Sequence, residues 1–252
     1  MKWAGGKRWL VPHLLEYWHG NEQKRLVEPL CGGLAVTLGL MPARALLNDI
    51  NPHSINFYRW LRKGLKVNVS MENDASLFYR HRRRFNDLIA DGGMRSKEAA
   101  ELFYYLNRTD YNGLCRFNSK GEFNVPFGRY KTISYAKDFL SYKKTFKSWI
   151  FSDGDFEKID LDRNDFVYVD PPYDVEFTKY TKEDFKWDDQ VRLMEWLSHH
   201  KGMVIVSNQA TDRIKKLYRK CGFKLRTLDA PRMINCTGDR TPAREVIAIK
   251  GF

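Results

Sequence analysis

Asp170-Pro171-Pro172-Tyr173 is the stretch whose residue types bear most directly on chemistry. It follows Asp165-Phe166-Val167-Tyr168-Val169, an apolar, β-branched and aromatic run that reads as a buried strand ending at the tetrapeptide. An acid, two prolines and an aromatic in that position suit chemistry on a flat ring bearing an amino group. The exocyclic amine of adenine is a poor nucleophile because its lone pair is delocalised into the ring. The Asp170 carboxylate and the Pro171 carbonyl can both accept its N–H bonds and so localise that lone pair toward an electrophile. Neither proline donates an N–H, and Pro172 pushes Pro171 toward an extended shape. Tyr173 offers a face for stacking. Taken alone, the tetrapeptide is also compatible with a proline turn after any strand.

A second constellation lies near the N-terminus. Leu26-Val27-Glu28-Pro29-Leu30 reads as a strand, Cys31-Gly32-Gly33 as a tight turn, and Leu34 to Met41 as a helix-compatible run. Ala45-Leu46-Leu47 is a second strand, closed by Asn48-Asp49-Ile50-Asn51-Pro52. Strand, glycine turn, helix, strand and acid is the layout of a nucleotide-binding Rossmann half, in which the acid grips ribose hydroxyls. The turn lacks the GxGxxG spacing, so a dinucleotide is disfavoured. A ribose-bearing ligand without a pyrophosphate fits better, and S-adenosylmethionine is the natural candidate.

Those motifs need a sheet to position them. Ser148-Trp149-Ile150-Phe151-Ser152 and Met203-Val204-Ile205-Val206-Ser207-Asn208 read as further strands, the first followed by a loop at Asp153-Gly154-Asp155-Phe156. Thr181-Lys182-Glu183-Asp184 resembles a capping box opening a helix through about Ser198. A basic helix from about Thr211 to Lys220 follows the late strand, and Lys224–Leu228 with Val246–Lys250 reads as an antiparallel pair at the edge. The expected fold is therefore α/β. The 252 residues suffice for a packed interior, as one unit or as a core with a substantial insertion.

Net charge is +12, from 43 basic and 31 acidic residues, which favours a polyanionic partner through phosphate neutralisation. No stretch approaches the roughly 20 apolar residues of a membrane span. Met1 to Lys7 has no apolar signal core, so an intracellular location is expected. Cys31, Cys115, Cys221 and Cys236 are dispersed without a CxxC pair, so reduced thiols and no bound metal are expected.

Between the two halves, from about Phe57 to Lys147, the composition changes. Arg80-His81-Arg82-Arg83-Arg84 reads first as a solvated helix face, with phosphate contact as the alternative. Tyr111–Asn118 and Gly121–Val125 read as two short strands around an Asn-Ser-Lys-Gly turn. A hairpin bearing Arg, Asn and aromatics can enter a DNA groove. Arg116 can pair bidentately with a guanine edge, and Leu114 or Pro126 can pack on a thymine methyl. An ordinary polar hairpin is the competing reading.

Lys2-Trp3-Ala4-Gly5-Gly6-Lys7, Glu28-Pro29-Leu30-Cys31-Gly32-Gly33, Asn48-Asp49-Ile50-Asn51, Tyr111-Asn112-Gly113-Leu114-Cys115-Arg116, Asn124-Val125-Pro126-Phe127-Gly128-Arg129-Tyr130 and Asp170-Pro171-Pro172-Tyr173 occur in one order along the chain. In that order the sequence resembles the Dam-type DNA adenine-N6 methyltransferases over nearly its whole length. The resemblance implies a Rossmann-like, S-adenosylmethionine-dependent methyltransferase core, formed by residues 1–56 and 149–252. It also implies a mainly helical target-recognition domain, residues 57–148, that carries the hairpin.

By position, the resemblance implies that Trp3 and Lys7 contact S-adenosylmethionine, Lys7 neutralising its carboxylate, while Asp49 takes the ribose. The Cys31-Gly32 turn would face the cofactor, so Cys31 is not expected to act as a nucleophile. Asp155-Phe156 would flank the cofactor adenine, Asp170 would be shared between cofactor and target amine, and Tyr180 would sit over the pocket. In relatives that modify GATC the matching arginine, here Arg116, reads a guanine, while the leucine and proline, Leu114 and Pro126, touch the thymine. Tyr111 and Asn112 would fill the gap left by a departing adenine, Lys2 and Tyr130 would serve the first guanine, and Arg129 belongs to the same DNA-contacting run. The implied enzyme acts on double-stranded DNA in the cytoplasm of a bacterium, or is phage-encoded. It needs no obligate protein partner and no metal, and S-adenosylhomocysteine would be its product.

Two alternatives stand beside this reading. One is a cytosine-N4 enzyme on the same core, disfavoured by Asp rather than Ser before Pro-Pro-Tyr. The other is a catalytically silent DNA-binding module, disfavoured because each expected cofactor and catalytic position holds a competent residue.

Overall fold

The computed structural model describes residues 1–3, 5–174, 185–230 and 243–251. In chain order its elements are α1 (Val11–Trp18), β1 (Arg25–Glu28), α2 (Ala35–Leu40), β2 (Arg44–Asp49), α3 (Pro52–Arg62), α4 (Ala75–Ala90), α5 (Lys97–Thr109), α6 (Leu140–Thr145), β3 (Trp149–Asp153), β4 (Phe166–Val169), α7 (Trp187–His199), β5 (Val204–Gln209), α8 (Asp212–Lys220), β6 (Lys224–Ala230) and β7 (Ala243–Lys250). The seven strands form one sheet in the order β3-β2-β1-β4-β5-β7-β6. β1 runs parallel to β2 and β4, and β4 parallel to β5. β7 runs antiparallel to both β5 and β6. The expected late antiparallel pair is present, with β7 inside the sheet and β6 at the edge. The 3-2-1-4-5 part is the doubly wound Rossmann order, whose direction of winding reverses between β1 and β4.

Two compact units divide the chain. One comprises Met1–Gly6, Asp49–Gly154 and Tyr180–Lys182; the other comprises Lys7–Asn48, Asp155–Lys179 and Glu183–Phe252. In the second unit β4 is buried along its whole length. Its residues Val167 and Val169 join Val27, Val204, Val206, Val246 and Ala248 in a core closed by Leu193, Met194 and Leu197 of α7 and by Ile214 and Tyr218 of α8. This is why the sequence shows continuous apolar runs rather than alternation: both faces of the central strands are covered. In the first unit α3, α4 and α5 pack around aromatic side chains. Phe57 stacks on Tyr104 at 5.2 Å, and Phe85 packs near Phe103 at 6.1 Å.

Helix starts follow local capping chemistry. The side chains of Asn51, Asp74, Ser96 and Thr211 accept backbone N–H bonds at the starts of α3, α4, α5 and α8. The box expected at Thr181–Asp184 lies outside the described residues. α7 begins later, where Asp189 accepts the Lys186 N–H at 2.9 Å. Among the described residues no helix is long and apolar enough to cross a membrane.

The starts of β1 and β4 are pinned by a fork. Arg25 Nε and Nη2 donate to Asp165 Oδ1 and Oδ2 at 2.9 and 2.6 Å, and Asp165 is buried. Asp165 Oδ2 also accepts the Asp162 N–H, so loss of the arginine leaves a buried carboxylate only partly satisfied. Arg25→Ala is expected to cost about 1–3 kcal/mol of stability. In urea unfolding this should appear as a lower midpoint with an unchanged slope.

Candidate active site

In open α/β sheets ligands bind beyond the carboxyl ends of the strands where the winding reverses. Here those ends belong to β1 and β4, so the Glu28–Gly33 turn and the Asp170–Tyr173 tetrapeptide emerge side by side. Each of the two sequence motifs singled out for chemistry thus leaves one of the two strands that define the crevice.

Asp170 is held by two donors, both at Oδ1. Ser207 of β5 donates to its Oδ1 at 3.0 Å. Because the Ser207 hydrogen is committed there, the Tyr168 hydroxyl, 2.8 Å from Ser207 Oγ, is the donor in that pair. Lys7 Nζ lies 3.0 Å from Asp170 Oδ1, with 4% of the lysine side chain and 24% of the aspartate exposed. The same ammonium donates to the Tyr173 hydroxyl at 2.9 Å and lies 3.5 Å from Glu245 Oε1. The Tyr173 hydroxyl in turn donates to Glu245 Oε1. Downstream, Gln190 of α7 donates to the Pro172 carbonyl at 2.8 Å, and Arg213 of α8 pairs with Asp174.

The electrostatics follow from burial against pairing. Burial raises the Asp170 carboxyl to about 6, and Lys7 and Ser207 only partly offset this. For Lys7 burial opposes the charge, but Asp170 and Glu245 outweigh it and hold the ammonium protonated well above its ordinary range. Burial pushes the Tyr173 phenol up to about 12. Beneath them Glu28 is buried, accepts from Thr37, and is raised by burial to about 8. It therefore stands neutral at pH 7 and adds no second charge beside Asp170.

The other cofactor-related positions fall as follows. Cys31 is buried, and its N–H donates to the Asn48 carbonyl at 2.8 Å. Gly32, at φ 46°, supplies the left-handed turn that follows. Asp155 accepts from Glu157 N and from Arg192 at 2.9–3.0 Å. Phe156 is buried beneath that guanidinium, 4.5 Å from its ring centre. In the first unit, half-buried Trp3 belongs to the N-terminal segment. Asp49 ends β2, and its Oδ1 accepts the Asn51 N–H at 2.9 Å. Tyr180 lies outside the described residues, as does Cys236. Among the described residues no three His, Cys, Asp or Glu side chains cluster as metal ligands.

The first unit also gathers the residues expected to meet DNA. Tyr111, Asn112, Leu114, Pro126 and Arg129 are exposed. Lys2 Nζ sits 3.5 Å from the Tyr130 ring centre, bringing together the two residues assigned to one guanine. The Lys2 backbone is clamped at both ends by the Asn107 side-chain amide, at 2.8 Å each way. Gly113, at φ 66°, leaves room for Lys2, since a Cβ there would meet Lys2 Cβ at 2.4 Å.

The expected pair of strands is reduced. Tyr111–Gly113 is a 3-10 turn, with Asn112 left-handed at φ 57°, and a single bridge joins Phe117 to Phe123. Two successive left-handed residues rotate the chain out of a strand, while the Asn118–Gly121 turn survives. The arm is braced instead by side chains of α4. Asn86 exchanges two hydrogen bonds with Phe123, and Arg82 donates to the Val125 carbonyl at 3.1 Å. Arg84 pairs with Glu98, so the arginine run serves packing and pairing as well as solvent. Arg116 is oriented by Asn124, whose side chain accepts from Nε at 2.8 Å.

Sequence reasoning missed Ser207, Glu245, Asn86 and Asn107, whose roles depend on partners far along the chain. It also missed Asp110, fully buried with no hydrogen-bond partner for either oxygen among the described residues. Burial raises its carboxyl to about 8, and the charge of Lys2 only partly opposes that. The folded state thus binds this proton more tightly than the unfolded chain does. Its cost grows as pH rises from the unfolded value of about 4 to the folded value. Asp110→Asn should therefore stabilise the protein progressively more between pH 5 and pH 8 in thermal melts. An equal effect at both pH values would contradict a buried, protonated Asp110.

The chain matches the family model for D12 class N6 adenine-specific DNA methyltransferases over residues 3–234. It is 36% identical to the type II methyltransferase M1.LlaDCHI of Lactococcus lactis subsp. cremoris, over 92% of this chain and 87% of the relative. It is 33% identical to the DNA adenine methylase of Haemophilus influenzae, over 100% and 93% respectively. A DNA N-6-adenine-methyltransferase of Escherichia phage P1 is 34% identical over 98% of this chain, which spans 35% of that longer protein. By sequence family, with a doubly wound α/β sheet and Asp-Pro-Pro-Tyr at its switch point, the chain belongs to the D12 class N6 adenine-specific DNA methyltransferases.

Proposed function

We propose that this enzyme transfers the methyl group of S-adenosylmethionine to N6 of an adenine flipped out of double-stranded DNA, within the sequence GATC. The observation carrying the reading is Asp170, a partly exposed carboxylate at the switch point, backed by one ammonium shared with a second carboxylate. Two carboxylates facing a single lysine leave the pocket short of positive charge, and a sulfonium fits that deficit. When bound, S-adenosylmethionine supplies a methyl group made electrophilic by its positively charged sulfur. Asp49 would take the ribose, Trp3 and the Cys31-Gly32 turn would line the cofactor, and Asp155 and Phe156 would stand near its adenine.

Lys7 directs its ammonium to Asp170, Tyr173 and Glu245. That arrangement supports a role in holding the catalytic carboxylate, alongside the cofactor contact expected from the resemblance. Extruding the target base costs a few kcal/mol. Asp170 and the Pro171 carbonyl then accept the N6 hydrogens while the base stacks on Tyr173. Held in this way, the N6 lone pair would face in line the methyl group that the cofactor would supply, the new nitrogen–methyl bond replacing the sulfur–methyl bond, and Asp170 would take the N6 proton. Fixed positioning of this kind can supply about 7–11 kcal/mol of barrier lowering. Tyr111 and Asn112, which are exposed, would occupy the vacated stack, and Arg116, Leu114 and Pro126 would read the site.

Asp170→Asn is expected to abolish methyl transfer in a labelled-cofactor assay while leaving duplex affinity within about threefold; retained activity would sink the assignment. Arg116→Ala should lose about 1–3 kcal/mol of discrimination against a substituted guanine. The check is the ratio of kcat/KM on GATC to that on a one-base variant, and an unchanged ratio would remove Arg116 from site reading.

A further inference from the structure

Glu245 touches no reacting atom in the proposed reaction, yet it is built into the site. It sits on β7, opposite Gln209 of β5, with 5% of its side chain exposed. Its Oε1 accepts from the Tyr173 hydroxyl and lies 3.5 Å from Lys7 Nζ. Its Oε2 is buried with no hydrogen-bond partner among the described residues. A buried carboxylate satisfied on one oxygen is costly, and a hydrophobic residue would cover β7 more cheaply.

We propose that Glu245 is a positioning residue that divides the charge of Lys7 with Asp170, leaving the Asp170 carboxylate available to hold the target amine. The inference deepens the role proposed for Asp170 and rests on it. Lys7 already stands 3.0 Å from Asp170 Oδ1, and with Asp170 as its sole carboxylate it would spend its whole charge there, in competition with the N6 hydrogens. Glu245, 3.5 Å from the same ammonium, takes up part of that charge. It also fixes Tyr173, whose hydroxyl accepts from Lys7 and donates its single hydrogen to Glu245. The ring is thereby held with Lys7 4.6 Å from its centre.

The other groups facing Asp170 are Glu28 of β1, Tyr168 of β4, Ser207 of β5 and Tyr218 of α8. None of these carries a positive charge. Glu28 is neutral at pH 7, and the hydroxyls titrate far above it. Lys7 and Glu245 are therefore the pair whose balance changes when Glu245 loses its charge.

Glu245→Gln keeps an acceptor for Tyr173 but removes the competing charge. The acid limb of kcat/KM against pH, which reports the free enzyme, should move down by roughly half a unit to one unit. Glu245→Asp, which keeps the charge, should keep its limb near that of the unmodified enzyme. Carboxyl NMR titration of the unmodified protein reads the Asp170 midpoint without activity and should find it well above an ordinary aspartate. A limb that stays put or rises in Glu245→Gln, an equal shift in Glu245→Asp, or an ordinary Asp170 midpoint would each overturn the inference. An active Asp170→Asn enzyme would instead overturn the role of Asp170 itself, a distinguishable outcome.

Discussion

One buried ammonium organises the end of the sheet at which Asp170 emerges. Lys7 precedes the first helix, Asp170 leaves β4, and Glu245 lies on β7, so three segments distant in sequence meet at a single charge. A lysine at this depth is tolerable only because its three donors find anionic or hydroxyl acceptors. The carboxylates in turn remain close together because the lysine lies between them. Removing Lys7 would leave two buried carboxylates without a counter-charge, which is more costly than never having placed the group there. Chemistry and stability are coupled at this point.

Much of this was legible in the residues. The strand before Asp170 is a run of four apolar residues, and β4 forms there because both faces of a central parallel strand are covered. The β1–turn–α2–β2 unit was equally readable, since a glycine turn between a strand and a helix, closed by an acid, leaves few alternatives. Less legible was the arm over 111–125. An Asn-Ser-Lys-Gly turn between two short runs suggested paired strands, but Asn112 and Gly113 adopt left-handed conformations, and Asn86 supplies bonds that a neighbouring strand would otherwise give. No local pattern announces such a substitution, because Asn86 lies in an ordinary helix thirty-seven residues away.

The same limit hid Glu245. In the sequence it is one acid in an Ala-Arg-Glu-Val-Ile-Ala-Ile strand, and its partners are set by where β7 inserts. Had β7 been only the outer member of an edge hairpin, its side chains would have stood apart from β5. Inserted between β5 and β6, it brings Glu245 opposite Gln209, two residues past the serine that holds Asp170. Topology, more than residue type, makes it part of the site.

The pairing of β1 with β4 closes a chain loop containing all of α3, α4, α5 and the arm over 111–125. Loop-closure entropy grows only with the logarithm of length, so doubling that excursion would cost about 0.6 kcal/mol. The thermodynamic stake of the sheet in how long that segment is, or what it contains, is correspondingly small. The kinetic stake is larger, since the central parallel seam must wait for a distant strand to return. A sheet closed in this way can carry a longer or shorter excursion between β2 and β4 at little cost to its own stability.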